Sequence, residues 1–257
     1  MPRTGQPATR HVAAVERAVL VLDVLSAADA ALGTNEIARR TGINASSVSR
    51  LLATLVKAGM VEHVADSGRY RLGLRMLQFG NAVLARLDLR EVARDHLRAL
   101  VAKTGETATL SVSAGGEALT VDYVQSASSV QSVARLGRPA VAHATAVGKV
   151  MVAAAGQHLD GPLARFTEAT ITDADALHRE IARTAERGWG QALGERESDL
   201  HAVAVPVHRS DGSLLAILGV QGPAGRFGDA QREAAVRHLL AAAAQIEATL
   251  AGQAPGA

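Results

Sequence analysis

Cysteine is absent from the 257-residue chain, which excludes a disulfide framework, a thiolate metal site and a cysteine nucleophile. Aromatic residues make up 2% of it, too few for the stacking platforms used on single-stranded nucleic acid. No apolar run is long enough to span a bilayer, and the opening MPRTGQPATRH lacks the apolar core of a signal peptide, so a cytoplasmic location is expected. The net charge of +2 is too small to imply nucleic acid by itself. Its distribution is more informative: residues 1–80 hold 10 Lys/Arg against 6 Asp/Glu, an excess of +4, and residues 81–257 hold 17 against 19, a balance of −2. The length allows one large domain or two smaller ones with a sizeable core.

The positive excess surrounds TNEIARRTGINASSVSRLLATLVKA (34–58). Thr34 is placed to cap a first helix and Glu36 to favour its dipole. Gly42 ends that helix, because it enters the left-handed conformation without a Cβ penalty. Asn44 caps a second helix, in which Val48, Leu51, Leu52 and Leu55 recur at the spacing of one buried face, while Ala45, Ser46, Ser49 and Arg50 fall elsewhere near its start. The spacing is that of a helix-turn-helix; an ordinary helical hairpin is the alternative. MVEHV and RYRLG around Asp66, Ser67 and Gly68 predict a β-hairpin directly after it, a wing. Arg69 and Arg71 share a face of its return strand, either within reach of phosphate or merely solvated. An earlier helix with Val15, Val19, Leu22 and Leu25 at helical period is expected to pack on the motif. Residues 1–10 read as a flexible arm, lying along a DNA groove or simply loose.

Residues 74–104 read as helical with a break near Leu87 and Asp88. The first part is a connecting helix; the second, with Val92, His96, Leu97, Leu100 and Val101 on one side, opens a new domain and stops at Gly105. TATLSVS and ALTVDYVQ predict a hairpin around Ala114, Gly115, Gly116 and Glu117. A third strand is expected from Val130 to Ala134, with Gly137, Arg138 and Pro139 breaking the pattern. Helices follow over 146–155 and 173–187, the latter capped by Thr172. AVAVPVH and LLAILGVQ flank a turn, and an Ala-rich helix runs over 229–250. The expected organisation is an arm over 1–10, a winged helix-turn-helix over 11–73, a linker helix over 74–88, an α+β domain over 89–251 and a flexible tail over 252–257.

In their order and spacing, VERAVLVLDVLS (15–26), EIARRTGINASSVSRLLATLVKAGMVE (36–62), GRYRLG (68–73), TGET (104–107), HATAVGKVM (143–151), RGW (187–189) with Glu195, AVAVPV (202–207) and GVQGPAGRF (219–227) resemble the IclR family of bacterial transcriptional regulators over nearly the whole chain. The resemblance implies an α+β fold: an N-terminal winged helix-turn-helix, a linker helix and a C-terminal effector-binding domain with a GAF-like antiparallel sheet. It also implies operator binding as a homodimer or homotetramer, most often as a repressor, altered by a small organic effector. No cofactor, metal or membrane is implied.

Reading DNA requires base contacts from the first turns of the second helix and phosphate contacts that fix the register. Ser46, Ser47 and Ser49 suit bases or phosphate. Arg50, the only long donor early in the helix, is the expected main contact unless Glu36 or another local carboxylate holds it. Arg39, Arg40 and Lys57 reach the DNA backbone or only water. HATAVGK is not a nucleotide loop: position 143 is His, and Val150 follows the Lys. The resemblance assigns this turn to the effector pocket, where the amides of Ala146 and Val147 receive a carboxylate, with Val133, Trp189, Ala192, Ala202, Gly219 and Gln221 around it. The other reading is a plain helix start with His143 and Lys149 structural.

Ala192, Ala202 and Gly219 stand where relatives that bind small acids place polar side chains, and only Gln221 keeps a hydrogen-bonding group. A roomier pocket is expected, for an effector larger than a two- or three-carbon acid, such as a lactone, an aromatic or an amino-acid-derived compound. Asp199 replaces a Gly favoured in the family. Glu195 with Glu197, or Asp199 with His201, invites the alternative of a GAF-like small-molecule enzyme with an accessory winged helix. Residues two apart share a face only on a strand, and neither GxSxG nor HxxxH occurs, so solvated or structural roles are expected and no enzyme.

Overall fold

The computed structural model describes residues 12–84, 89–132, 134–137, 139–157, 159 and 161–252. The expected arm, the break at Leu87 and Asp88, Val133, and all of the tail beyond Gly252 lie outside them. The chain divides into two compact units, Met1–Arg86 and Leu87–Ala257.

The first unit contains α1 (Ala13–Ser26), α2 (Thr34–Thr41), α3 (Ala45–Lys57), the antiparallel pair β1 (Val61–Val64) and β2 (Arg69–Leu72), and α4 (Arg75–Leu84). Its core is Val21, Leu25, Leu32, Ile37, Val48, Leu52, Leu55 and Val61, contributed by the three helices, the wing and, through Leu32, the segment between α1 and α2 that bridges to Tyr70. Gly42 ends α2 at φ 72°, and the Asn44 side chain accepts from the Ser47 amide at 2.8 Å to start α3. Thr34 is not the cap: Gly33 holds that position, with its carbonyl accepting from Ile37, and Thr34 is the first helical residue. The packing of α1 also differs from expectation. Val21 and Leu25 are buried, while Val12, Val15, Val19 and Leu20 are 62%, 59%, 49% and 46% exposed. This helix is apolar on more than one side, so its period fits two faces, and the unit covers only one.

The second unit runs α5 (Leu89–Thr104), β3 (Thr107–Ala114), β4 (Glu117–Val124), β5 (Pro139–Ala140), α6 (Ala146–Ala155), α7 (Ala174–Arg187), β6 (Gly190–Leu193), β7 (Leu200–His208), β8 (Leu214–Pro223) and α8 (Asp229–Gly252). Its six strands pair antiparallel in the order β5-β4-β3-β8-β7-β6. Strand alternation divides the domain into two layers of packing. Leu110, Val203, Val205, Leu218 and Val220 pack with α5 and α8, whereas Ala192, Ala204 and Ile217 pack with Ala146, Val150 and Met151 of α6. The expected strand from Val130 to Ala134 is irregular wherever it is described; the edge strand is instead Pro139–Ala140, paired with Ala118 and Leu119. Proline lacks an N–H to donate, which suits an edge. The cap of α7 is Asp173, accepting from Ala176 at 2.7 Å, one residue after the expected Thr172.

The start of α6 is held very close to the backbone before it. A Cβ on Gly148 would lie 2.6 Å from the Cα of Ala142 and 2.7 Å from two carbonyl oxygens. Gly148→Ala is therefore expected to lower stability by about 1–3 kcal/mol, measured by urea unfolding of the second unit's signal.

Candidate nucleic-acid interface and effector pocket

The buried line Val48, Leu52 and Leu55 fixes the orientation of α3 and leaves Ser46, Ser49 and Arg50 exposed and Ser47 half-buried. The Ser46 hydroxyl donates to Asn44 Oδ1 at 2.9 Å, which leaves its oxygen free to accept. The Arg50 side chain forms no ion pair or hydrogen bond among the described residues; only its backbone carbonyl accepts, from the Thr54 hydroxyl at 3.1 Å. Glu36, the alternative partner expected for it, is taken by Arg39 at 2.7 Å and Arg40 at 2.6 Å on its own helix. Hydrogen bonds from these two guanidiniums pull the Glu36 carboxyl down to about 2. On the wing, Arg71 pairs with Glu62 at 2.9 Å, and Arg69 donates to the Ala31 carbonyl at 3.3 Å. Of these cations, then, only Arg50 projects without a local partner. The Glu36 pairs lie at the i,i+3 and i,i+4 spacing of one helix, whereas Glu62 meets Arg71 only through the hairpin register.

In the second unit a cavity of about 140 Å³ lies between α6 and the sheet. Ala146, Val147, Ala192, Ala202 and Gln221 line it. The last three form a row across the strands, because Ala192 faces Ala202 and Ala202 faces Gln221 in register. At the N-terminus of α6 the Thr145 hydroxyl accepts from the Gly148 amide at 3.0 Å, and the Lys149 amide bonds the Thr145 carbonyl. The Ala146 and Val147 amides are left outside both cap and ladder, at the positive end of the helix.

Two expected pocket residues stand elsewhere. Trp189 does not line the cavity: it packs against the core beneath α5 and α8, with the Arg187 guanidinium 3.9 Å from its ring centroid. Gly219 is under the wall rather than in it, since a Cβ there would come 2.7 Å from the Thr109 hydroxyl and 3.4 Å from Val147. Val133 is outside the described residues. Gln221 is already engaged, its Nε2 donating to the Ser132 hydroxyl at 2.6 Å.

Sequence reasoning missed Thr109, Thr120, Ser132 and Glu195 as lining residues. Glu195 is 6% exposed, and its Oε1 accepts from the Lys149 ammonium at 2.6 Å. Lys149, 1% exposed, also donates to the Gln191 carbonyl at 3.0 Å. A lysine inside the apolar helix AVGKVMVAAA was the available signal, because a buried charge needs a partner. The Thr170 and Thr167 hydroxyls donate to the Glu195 and Gly194 carbonyls, both at 2.6 Å, and fix the loop that carries Glu195. Asp199 fits its loop: among the described residues no side-chain-bearing residue has positive φ, and the Asp199 carbonyl accepts from Ala224 at 2.7 Å.

A winged helix-turn-helix joined to a domain with a ligand-sized cavity defines a DNA-binding regulator that responds to a small molecule. Comparison with known proteins gives the family. Residues 14–65 match the profile of the IclR helix-turn-helix domain, and residues 81–248 match that of the bacterial transcriptional regulator IclR C-terminal domain. The chain belongs to the IclR family of bacterial transcriptional regulators. It is 30% identical to the HTH-type transcriptional regulator XynR of Escherichia coli K12, over 86% of this chain and 90% of that one. An IclR transcriptional regulator from Silicibacter sp. TM1040 superposes with a TM-score of 0.82 at 28% identity, over 94% of this chain and 98% of that one. An IclR homologue from Microbacterium hydrocarbonoxydans, solved in complex with 4-hydroxybenzoate, superposes at 0.78 with 29% identity, over 94% of this chain and all of that one.

Removing one member of the Lys149–Glu195 pair strands the other in a nearly buried site. Lys149→Met is expected to cost about 3–5 kcal/mol in equilibrium unfolding; a loss below about 1 kcal/mol would mean that water reaches Glu195 readily.

Proposed function

We propose that the protein is a repressor acting in the cytoplasm, which reads its operator through Arg50 and releases it when a single-ring organic acid enters the cavity under α6. The observation that carries the DNA side is Arg50 itself, exposed and without a local partner on the open face of α3. Ser46, Ser47 and Ser49 complete the contacts to bases and nearby phosphates, and Arg39, Arg69 and Arg71 meet the phosphate backbone. On the effector side, the amides of Ala146 and Val147 receive the carboxylate, with Ala192, Ala202 and Gln221 against its body. A cavity of about 140 Å³ is close to the roughly 150 Å³ that accommodates a benzene ring. The bound 4-hydroxybenzoate of the Microbacterium homologue is an acid of this size class.

The protein is further proposed to act as a homodimer or a homotetramer assembled from dimers. Val12, Val15 and Val19 form an exposed apolar line on α1, and Leu74 and Leu77 are 78% and 62% exposed around the start of α4. Apolar lines of this kind in the DNA-binding unit suit a second copy of the chain, because two helix-turn-helix units reading one operator are related by a twofold axis.

Fluorescence anisotropy with DNA from upstream of the protein's own gene, against a scrambled control, tests the DNA reading. Arg50→Ala is expected to weaken specific binding by about 1–3 kcal/mol, and unchanged affinity in a folded variant removes Arg50 from the contacts. Arg69→Ala is expected to weaken both DNAs alike and to flatten the salt dependence by roughly one unit of slope. For assembly, Val15→Glu combined with Val19→Glu is expected to shift the sedimentation-equilibrium mass toward the monomer; an unchanged mass would place the interface elsewhere.

A further inference from the structure

Glu195 has an oxygen that the fold leaves unused. Its Oε1 takes the Lys149 ammonium, while Oε2 is buried with no hydrogen-bond partner among the described residues. A buried acceptor without a donor is unfavourable, and more so when it carries charge. The side chain stands in the wall of the cavity that the Ala146 and Val147 amides also line. Those amides call for an acceptor, and Glu195 calls for a donor. One occupant satisfies both only if it carries an acceptor, best an anionic one at the positive end of the helix, and an N–H or O–H. Since Lys149 already neutralises Glu195, the requirement is for a neutral donor more than for a second cation. The terminal torsion of a glutamate is broad, so the carboxylate can turn toward an entering donor while it stays on Lys149.

We propose that Glu195 is a specificity-determining residue of the effector pocket, and that the effector is a carboxylic acid bearing a hydroxyl group that donates to Glu195 Oε2. This rests on the proposed seating of the carboxylate at Ala146 and Val147. Burial pushes the Glu195 carboxyl up from its ordinary range, outweighing Lys149 and the Leu193 amide, which pull it down. A donor on Oε2 stabilises the ionised form and relieves that penalty. The hydroxyls of Thr109, Thr120 and Ser132 on the same walls leave room for further polar substituents on the ring.

Isothermal titration of the full chain with benzoate, 3- and 4-hydroxybenzoate and the two matching methoxybenzoates tests the assignment. At least one hydroxybenzoate is expected to bind roughly ten- to hundredfold more tightly than benzoate and than its own methyl ether, which keeps the oxygen but cannot donate. In Glu195→Gln that preference is expected to shrink to about fivefold or less. If Glu195→Gln does not fold, the double replacement Lys149→Met with Glu195→Met removes both charges together and serves in its place. Equal binding of hydroxyl and methoxy acids by the natural chain overturns the role of Glu195 and keeps the carboxylate seat. A hydroxyl preference that survives the loss of Glu195 overturns it as well. Binding by none of the five acids overturns the carboxylate seat itself, and this inference with it.

Discussion

The ion pair between Lys149 and Glu195 is the interaction on which the second domain's working parts depend. It joins the first turn of α6 to the loop after β6 across 46 residues of sequence, at 2.6 Å and almost wholly out of water. Two well-packed apolar side chains would serve stability as well or better, since desolvation of both ions offsets most of their attraction. What a charged pair adds is direction. It sets where the helix terminus stands relative to the strand row Ala192, Ala202 and Gln221, and the cavity lies between those two.

That placement is possible only because the layer between helix and sheet is made of small residues. A Cβ on Gly190 would come 2.9 Å from the Ala146 carbonyl and 2.9 Å from a Val150 methyl, and Gly148 is confined in the same way by the backbone of Ala142. Alanine at positions 192, 202 and 204 continues the layer. The strands lend Thr109 and Gln221 to the cavity face and keep Leu110, Leu218 and Val220 for the opposite core, so one alternation builds both the pocket and its support. In the first unit the same economy holds for α3, whose buried Val48, Leu52 and Leu55 leave Arg50 facing outward.

What was legible in the sequence was what is decided locally. Asn44, Gly42 and the Asp66–Gly68 turn act within a few residues of themselves, and the structure has the cap, the stop and the hairpin at those places. Ala192, Ala202 and Gln221 were found through family likeness, and strand register does bring them together at the cavity. The rest depends on contacts between distant segments. No local pattern said that Lys149 would meet Glu195, that Glu62 would take Arg71, or which apolar side of α1 would be covered. Trp189 was misplaced for a related reason: it directly precedes a pocket strand, yet its ring is drawn to the opposite layer and to Arg187. Pro139 read as a break and forms an edge strand, because an edge asks of proline nothing that it lacks.

The carboxylates of Glu36 and Glu62 have a consequence for how the protein moves on a chromosome. They sit on Arg39, Arg40 and Arg71 as built-in competitors for phosphate. Under the proposed docking, each phosphate that meets these arginines must first displace a neighbour, so fewer counterions are set free per contact than a count of basic residues suggests. On the proposed reading, a DNA-binding unit whose arginines are partly neutralised from within is held less tightly by bulk DNA than its basic residues alone would hold it. On that reading, fewer copies idle on irrelevant sequence, and a modest supply of the protein fills its true sites.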